Sequence, residues 1–449
     1  MSIFTKGGKR VVQHRGSNAK WLRAMVPVLL LANGCGSSRA AGNGGSADAH
    51  AQPRRPLRVA LFPYLPDANE DRHRALFKRI ETEFEASQQG QVELILKPSA
   101  PESNDFYTPK TLSRWLRGEG AEAYDVVEVD TVLLDDIKND IQPWRGVLPV
   151  EDWHPAASTA VGASGGSAWG YPHLLCSHFV FSRAPQVVEA RTAAQLATAL
   201  GALQLDKNMS RRLVGDFQGS WNLPSLYLDA WADTYGPETL KDALVVPPGS
   251  TAPQLHEDVV GQLTRVEGNC RVSCQDLCLD NTFHDVPDYA AQLFAGGRAG
   301  ALIGYSERLH HVIKNREDTA PVLMASAPLG AGSHPVLFTD ALVLSKSCGF
   351  DCQRDARAFA DFLTSPRMNE ILLMSGDVDE GSHAIPRYLL PAARSAFRIP
   401  SVAADPYYPL LEKMIEGAAP FPSGGLSTVG KTMKNQLTEK MQQGAASGR

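Results

Sequence analysis

Cys176 is the side chain with the most distinctive chemistry in this sequence. It lies in the apolar run Gly170-Tyr171-Pro172-His173-Leu174-Leu175-Cys176-Ser177-His178-Phe179-Val180-Phe181, 94 residues before the next cysteine. A thiol attacks as its thiolate, and an ordinary pKa of about 8.5 leaves it mostly protonated at neutral pH. It therefore needs a proton acceptor. His178, two positions on, shares a strand face with Cys176, but side chains two apart along a strand usually splay rather than hydrogen-bond. A carboxylate delivered from elsewhere in the fold would take the proton as the thiol attacks and could later deprotonate an incoming amine. Taken alone, a single cysteine in an apolar strand reads as inert core.

The other chemical motifs are weaker. Cys270, Cys274 and Cys278 have C-x3-C-x3-C spacing, which fits neither the C-x2-C zinc knuckle nor the common iron–sulfur runs. With Cys348 and Cys352 they read as disulfide staples of surface segments, one of the five being left over. His310 and His311 are adjacent, so a helix cannot turn both toward one metal. Gly425-Leu426-Ser427-Thr428-Val429-Gly430-Lys431-Thr432 matches the phosphate-loop pattern literally. The preceding Ala418-Ala419-Pro420-Phe421-Pro422-Ser423 is no strand, and that motif requires one. No metal and no organic cofactor are implied.

The elements that must position Cys176 alternate in type. Leu57 to Phe62 reads as a buried strand after a proline. Residues 70–89 carry Leu76, Ile80 and Phe84 at helical spacing, Val92 to Leu96 is a second strand, and Tyr124 to Asp130 is a third. Further strands are expected at 169–181, at Ala299 to Tyr305 and at Leu337 to Leu344, with a mostly helical tail from Asn369 to about Gln443. This alternation predicts an α/β protein with largely parallel sheets. Ligands in such sheets sit beyond the carboxyl ends of strands, where Tyr64 and Asp130 fall.

The chain has 449 residues, 43% hydrophobic and 21% charged, which excludes a largely disordered protein. Its formal charge is −5, from 44 basic and 49 acidic side chains, and leaves no footprint for nucleic acid. Residues 1–23 hold Lys6, Lys9, Arg10, Arg15, Lys20 and Arg23 with no acidic side chain. The apolar run Met25 to Ala32 and then Asn33-Gly34-Cys35 follow. A basic start, a short apolar core and a small residue make an export signal. Its end resembles a bacterial lipobox, with Cys35 as the lipid-bearing residue and 36–56 as a flexible tether. The protein is thus expected to be exported, as a periplasmic or cell-surface lipoprotein or a secreted protein.

The order of elements resembles that of bacterial solute-binding proteins of the second topological type. Within that fold, the segment from Gly170 to Phe181 is similar to the cysteine segment of thiaminase I (thiamine pyridinylase), and Ile303-Gly304-Tyr305-Ser306-Glu307 to its GYSE segment. Leu61 to Asp67, Leu337 to Asp340 and Pro386 to Ala392 agree in order, so the resemblance runs from about Leu57 to the C-terminus. It implies a two-lobed, periplasmic-binding-protein-like α/β fold with a central cleft and hinge crossovers near Cys176 and Tyr305. The implied boundaries are 57–170 for the first part of lobe 1, 171–305 for the crossover and lobe 2, and 306–449 for the return, the completion of lobe 1 and C-terminal helices shared between lobes. It further implies transfer of the pyrimidine of thiamin from its thiazole to a small amine or thiol acceptor, with Cys176 as nucleophile and Glu307 as base. Tyr64, Asp130, Tyr289, Tyr305 and Asp340 match cleft residues that hold substrate, and the protein is expected to act as a monomer. Phe62 and Phe338 stand where the family often has tyrosine.

Each of these residues has a plainer role open to it. Glu307 sits where it could cap a helix beginning near Arg308. Asp130 and Asp340 fit strand-end turns, and the tyrosines fit a core. The alternative function is a non-catalytic solute-binding lipoprotein serving a transporter of thiamin or a related compound. A family member with an altered substrate is a third reading, for which Phe62 and Phe338 leave room.

Overall fold

The computed structural model describes residues 54–61, 65–98, 108–119, 122–272, 275–378 and 384–447. The export segment, nearly all of the tether, Phe62, Tyr64 and Cys274 lie outside them. The strands that build the fold are β1 (Arg55–Leu61), β2 (Val92–Pro98), β3 (Val126–Asp130), β4 (Tyr171–Cys176), β5 (His178–Ser182), β6 (Arg211–Gly215), β7 (Ala299–Tyr305), β8 (Leu323–Ser326) and β9 (Val336–Ser345). The helices used below are α1 (Arg74–Ser87), α2 (Asn222–Tyr235), α3 (Pro287–Ala295), α4 (Arg308–Asn315) and α5 (Leu426–Ser447). Strand β1 starts at Arg55, earlier than expected, because Arg55 already pairs with Val92 in the ladder and its guanidinium meets Asp355 at 2.8 Å.

Two sheets organise these elements. The larger runs in the order Leu390–Pro391, β4, β9, β3, β1, β2, with two-residue strands at Ile141–Gln142 and Ala419–Pro420 also paired to β9. The smaller runs β8, β5, β7, β6. The continuous apolar runs anticipate this burial. All ten residues of β9 are buried, and so are Val126, Val127 and Val129 of β3. Helix α1 covers the larger sheet with Leu76, Phe77, Ile80 and Phe84, a stripe at helical spacing. Gly170 lies where β4 comes up against β9, and a Cβ there would stand 2.8 Å from that of Ala341.

The strand directions correct the expectation of largely parallel sheets. β1 is parallel to both β2 and β3, but β9 runs antiparallel to β3 and β4. In the smaller sheet β5 is antiparallel to both β7 and β8, and only β6 and β7 run parallel. The cause is that β9 enters the larger sheet as a return strand, coming back from the smaller one.

The first crossing between sheets is at Ser177. β4 ends in the larger sheet at Cys176, and β5 begins in the smaller one at His178. The return is not at Tyr305. After β7 and α4 the chain adds β8 to the smaller sheet, with Leu323 to Ser326 paired to Ser182 to Phe179, and rejoins the larger sheet only at Val336. The second lobe therefore extends past 305. Helix α5 packs on α2 and on helix Glu257–Glu267 of that lobe and on the turn Thr131–Leu133 of the other, which ties the two lobes together at the C-terminal end. Among the described residues no helix is long and apolar enough to cross a membrane.

Disulfides join Cys270 to Cys278, around the hairpin Arg271–Val272/Gln275–Asp276, and Cys348 to Cys352, at the start of helix Phe350–Leu363. Cys176 is a free thiol. Peptide mapping of the protein alkylated without prior reduction should return these two linked pairs and an alkylated Cys176. Recovery of Cys270 or Cys348 as a free thiol would contradict the pairing.

Candidate functional site

The site is built on the strand that crosses between sheets. In the ladder, Cys176 of β4 lies opposite Phe338 of β9, and Asp340 of β9 lies opposite Asp130 of β3. Positions two apart share a strand face, so Phe338 and Asp340 stand on one side of the sheet with Asp130 and Glu128. The Cys176 thiol donates toward Asp340 Oδ2 at 3.9 Å. A bulge adds to this group. Asp340 pairs with Leu174 but the next residue, Ala341, pairs with Pro172, so His173 is the extra residue of β4. Bulges re-aim side chains next to functional sites, and His173 Nδ1 lies 2.5 Å from Glu128 Oε1, both side chains buried.

Burying several acids together changes their proton affinities. Burial lifts the Asp130 carboxyl to about 7, although its Oδ1 accepts a 3.0 Å hydrogen bond from the Val132 N–H. Asp340 is raised well above the carboxylate range by burial, and then by the charges of Asp130, Glu128 and Glu307. The Cys176 thiol is raised by burial and then by Asp340, Glu307, Asp130 and Glu128. The sulfur therefore holds its proton, and so does at least one neighbouring acid.

Glu307 comes from the other sheet. β7 ends at Tyr305, a turn follows, and Glu307 occupies the N-cap position of α4 without a side-chain cap bond. The capping role open to it in the sequence is therefore not the one it takes. It is half-buried and within electrostatic reach of the Cys176 thiol. Burial raises its carboxyl, while Arg308, its own backbone N–H and His178 pull it back down. Burial is the largest effect on both acids; beyond it Glu307 has Arg308 as well as Asp288 beside it, whereas Asp340 faces the charges of Asp130, Glu128 and Glu307.

Tyr305 pairs with His178 across the β5–β7 ladder, and their rings stack at 4.5 Å and 26°. Phe338 packs edge-on to both and stacks on Phe421 at 4.1 Å. These rings form an aromatic wall beside the thiol, with Phe338, Phe421 and His178 all buried.

The expected residues fall into three groups. Cys176, Asp130, Asp340, Glu307 and Tyr305 come together. Tyr64 lies outside the described residues; beyond it in the chain, Pro66 O accepts a 2.9 Å hydrogen bond from the wholly buried Arg387, which also makes a two-point ion pair with Asp377. That bond joins two of the motifs that the sequence offered separately. Tyr289 sits on α3 with its ring against Phe283 and Arg211 as its charged neighbour. It is the preceding Asp288 that reaches α4, bonding Arg308 at 3.1 Å and His311 at 3.2 Å.

Two acids of the site, Glu128 and Asp229, escaped the sequence reading, and the histidines they hold were weighed there only as partners of Cys176. Glu128 and His173 form one buried pair. His178 and Asp229 form another, with Nδ1 2.5 Å from Oδ2. A glutamate within Val126-Val127-Glu128-Val129 was the available signal, since an unpaired charge in a buried strand is costly. The phosphate-loop match is explained differently: Gly430, Lys431 and Thr432 lie inside α5, where backbone N–H groups are used by the helix, and Thr432 Oγ1 donates to Val429 O.

No protein-family model matches this sequence, and no curated protein does. Solved structures do match in fold. Thiaminase I from Bacillus thiaminolyticus has a TM-score of 0.66 and 19% identity over 87% of this chain and 99% of its own. Clostridium botulinum thiaminase I in complex with thiamin has 0.68 and 21% over 86% and 100%. The Thermus thermophilus maltotriose binding protein bound with maltotriose has 0.53 and 14% over 86% and 99%. The fold is therefore the type II periplasmic-binding fold that these proteins share.

The raised carboxyls have a measurable consequence for stability. Asp130 binds its proton more tightly in the folded state, near 7, than at the unfolded value of 3.8. Between those values the folded state holds the extra proton, so stability falls as pH rises through the window. Asp130→Asn removes this loss. Its stability relative to the parent protein should rise with pH between 4 and 7, by at most about 1.4 kcal/mol per pH unit. Urea denaturation at several pH values checks this, and a gap that does not change with pH would contradict it.

Proposed function

We propose that the protein is an exported thiaminase I-like transferase that passes the pyrimidine of thiamin from its thiazole to an amine or thiol acceptor, by way of a covalent bond to Cys176. The observation that carries this reading is a half-open free thiol at the crossover between two sheets, ringed by Asp340, Asp130, Glu128 and Glu307. A binding protein has no need of a nucleophile there. The likeness in fold to thiaminase I structures, one of them holding thiamin, supports the same reading.

The chemistry follows from the two kinds of acid. Thiamin carries a cationic thiazolium, and a cleft crowded with carboxyls favours a cation. Once it is bound, its charge offsets the field that holds the thiol proton. Glu307, whose carboxyl is raised by burial toward the range of a general base and which has Arg308 beside it, takes that proton as the sulfur bonds to a pyrimidine ring carbon. The electron-rich ring then breaks the bond from the methylene carbon to the thiazolium nitrogen. The electron pair stays on that nitrogen, and neutral thiazole leaves. The acceptor bonds to the methylene carbon, and the ring regains aromaticity as the carbon–sulfur bond breaks and its pair returns to Sγ. Asp340, which retains its proton, is suited to donate to a ring nitrogen of the pyrimidine. Tyr305 supplies a flat face for a ring. Metal and organic cofactors have no part in this scheme.

The competing reading is a solute-binding lipoprotein that delivers thiamin or a related compound, and the likeness to sugar-binding proteins of this fold favours it. Incubation with thiamin and an aromatic amine separates the two. A transferase yields the base-exchanged product, whereas a binder only retains thiamin. Cys176→Ser should abolish exchange and leave thiamin binding in place; exchange that survives would remove the nucleophile. Glu307→Gln should slow exchange by about 10²–10⁴-fold, as expected for loss of a general base, and an unchanged rate would dismiss it from the mechanism.

A further inference from the structure

The geometry points to a second acid–base unit, the Asp229–His178 pair, which takes the proton from an amine acceptor in the second half of the transfer, while Glu307 serves the thiol in the first. This rests on the transferase reading above. His178 is the first residue of β5, immediately beyond the crossover, and it is 5% exposed. Its Nδ1 lies 2.5 Å from Asp229 Oδ2, and the other oxygen, Oδ1, is buried with no hydrogen-bond partner. A carboxylate that receives Nδ1–H fixes the ring's orientation and tautomer and leaves Nε2 as a proton acceptor. His178 also lines a small cavity on the second lobe with Tyr305, Asp216, Asn222 and Arg308. That cavity opens beside the aromatic group formed by His178, Tyr305 and Phe338, the last being the residue across the ladder from Cys176. An acceptor that reaches the mouth of this cavity meets the Tyr305–His178 stack, on which Phe338, the thiol's ladder partner, packs edge-on.

The division of labour has a chemical reason. After the first half, Glu307 carries the proton it took from the thiol, and a protonated carboxyl cannot accept another. A separate base lets the acceptor lose its proton without waiting for Glu307 to release one. In the step itself the acceptor nitrogen bonds to the methylene carbon, the carbon–sulfur bond breaks with its pair returning to Sγ, and the N–H proton passes to His178 Nε2 and on to solvent.

Two acceptors separate this role from a structural one. Aniline has an N–H proton to lose, whereas pyridine attacks through a nitrogen that has none and gives a pyridinium product. With thiamin as donor, His178→Asn and Asp229→Asn should each lower aniline exchange about 10²-fold more than pyridine exchange, while stoichiometric release of thiazole before acceptor is added persists. Equal losses with both acceptors would overturn the assignment, since a ring that only props Tyr305 has no means of telling them apart. Loss of the stoichiometric thiazole release in both variants would overturn it as well, because the pair would then be needed before any acceptor arrives. Should the unaltered protein exchange neither acceptor, the transferase reading fails and takes this inference with it; exchange of both by the unaltered protein keeps the two failures distinct.

Discussion

Several acids and one thiol occupy the same buried strip of sheet, and the mutual repulsion of their charges constrains the rest of the site. Two ionised carboxylates a few ångströms apart in a low-dielectric setting repel by several kcal/mol even at an effective dielectric near 20. Burial first, and then the neighbouring charges, keep protons on Cys176 and Asp340, and burial keeps one on Asp130 up to about neutrality. Such a strip is costly for the folded protein when empty and least costly when a cation fills it. Perturbed acids gathered in a cleft mark functional sites for this reason. The bulge at His173 fits the same logic, since it delivers a proton-bearing ring to Glu128 and so relieves one member of the group.

The two crossings give each component a different mechanical status. Cys176, Asp340, Asp130 and Glu128 all belong to three neighbouring strands of one sheet, so their spacing is fixed by backbone hydrogen bonds. Glu307, Tyr305 and Arg308 hang from the end of β7 in the other sheet, with the His178–Asp229 pair behind them. A change in the angle between lobes would alter the distance from the thiol to Glu307 and leave its distance to Asp340 nearly constant. The fold thus holds Asp340, Asp130 and Glu128 at fixed spacing from the thiol and makes Glu307 the adjustable part. Ser177 is the single residue between the sheets at this point.

Much of this was legible in the sequence, for identifiable reasons. The strands at 126–130, 299–305 and 336–345 announce themselves as mostly continuous apolar runs, the mark of strands covered on both faces, and 92–98 by alternation, with Glu93 and Lys97 exposed between buried Val92, Leu94 and Leu96. Cys176 and Glu307 stood out through the company they keep in two short segments, not through any periodicity. The direction of β9 and the late return at Val336 were hidden, because an apolar run has the same composition whichever way it is paired. Strand β8, only four residues long and mostly half-buried, carries too weak an alternation to be assigned to a lobe. The partners of His173 and His178 were hidden for a different reason: Glu128 is 45 residues from one and Asp229 is 51 from the other, and only the fold brings them together.

The fold by itself leaves function open, since chains that hold sugars share it. What narrows the choice is the placement of polar groups that a binding cleft would do better without. A buried carboxyl with an unsatisfied oxygen, as in Asp229, costs roughly 1–3 kcal/mol unless something is gained. A free thiol held beside acids that suppress its ionisation adds nothing to affinity for a neutral solute. Both features become intelligible if the cleft must move protons on demand: the thiol is kept quiet until a cation arrives, and an oriented imidazole waits on the opposite lobe. The same crowding that weakens the resting protein is then what couples the nucleophile to its substrate, because only a positively charged ligand relieves it.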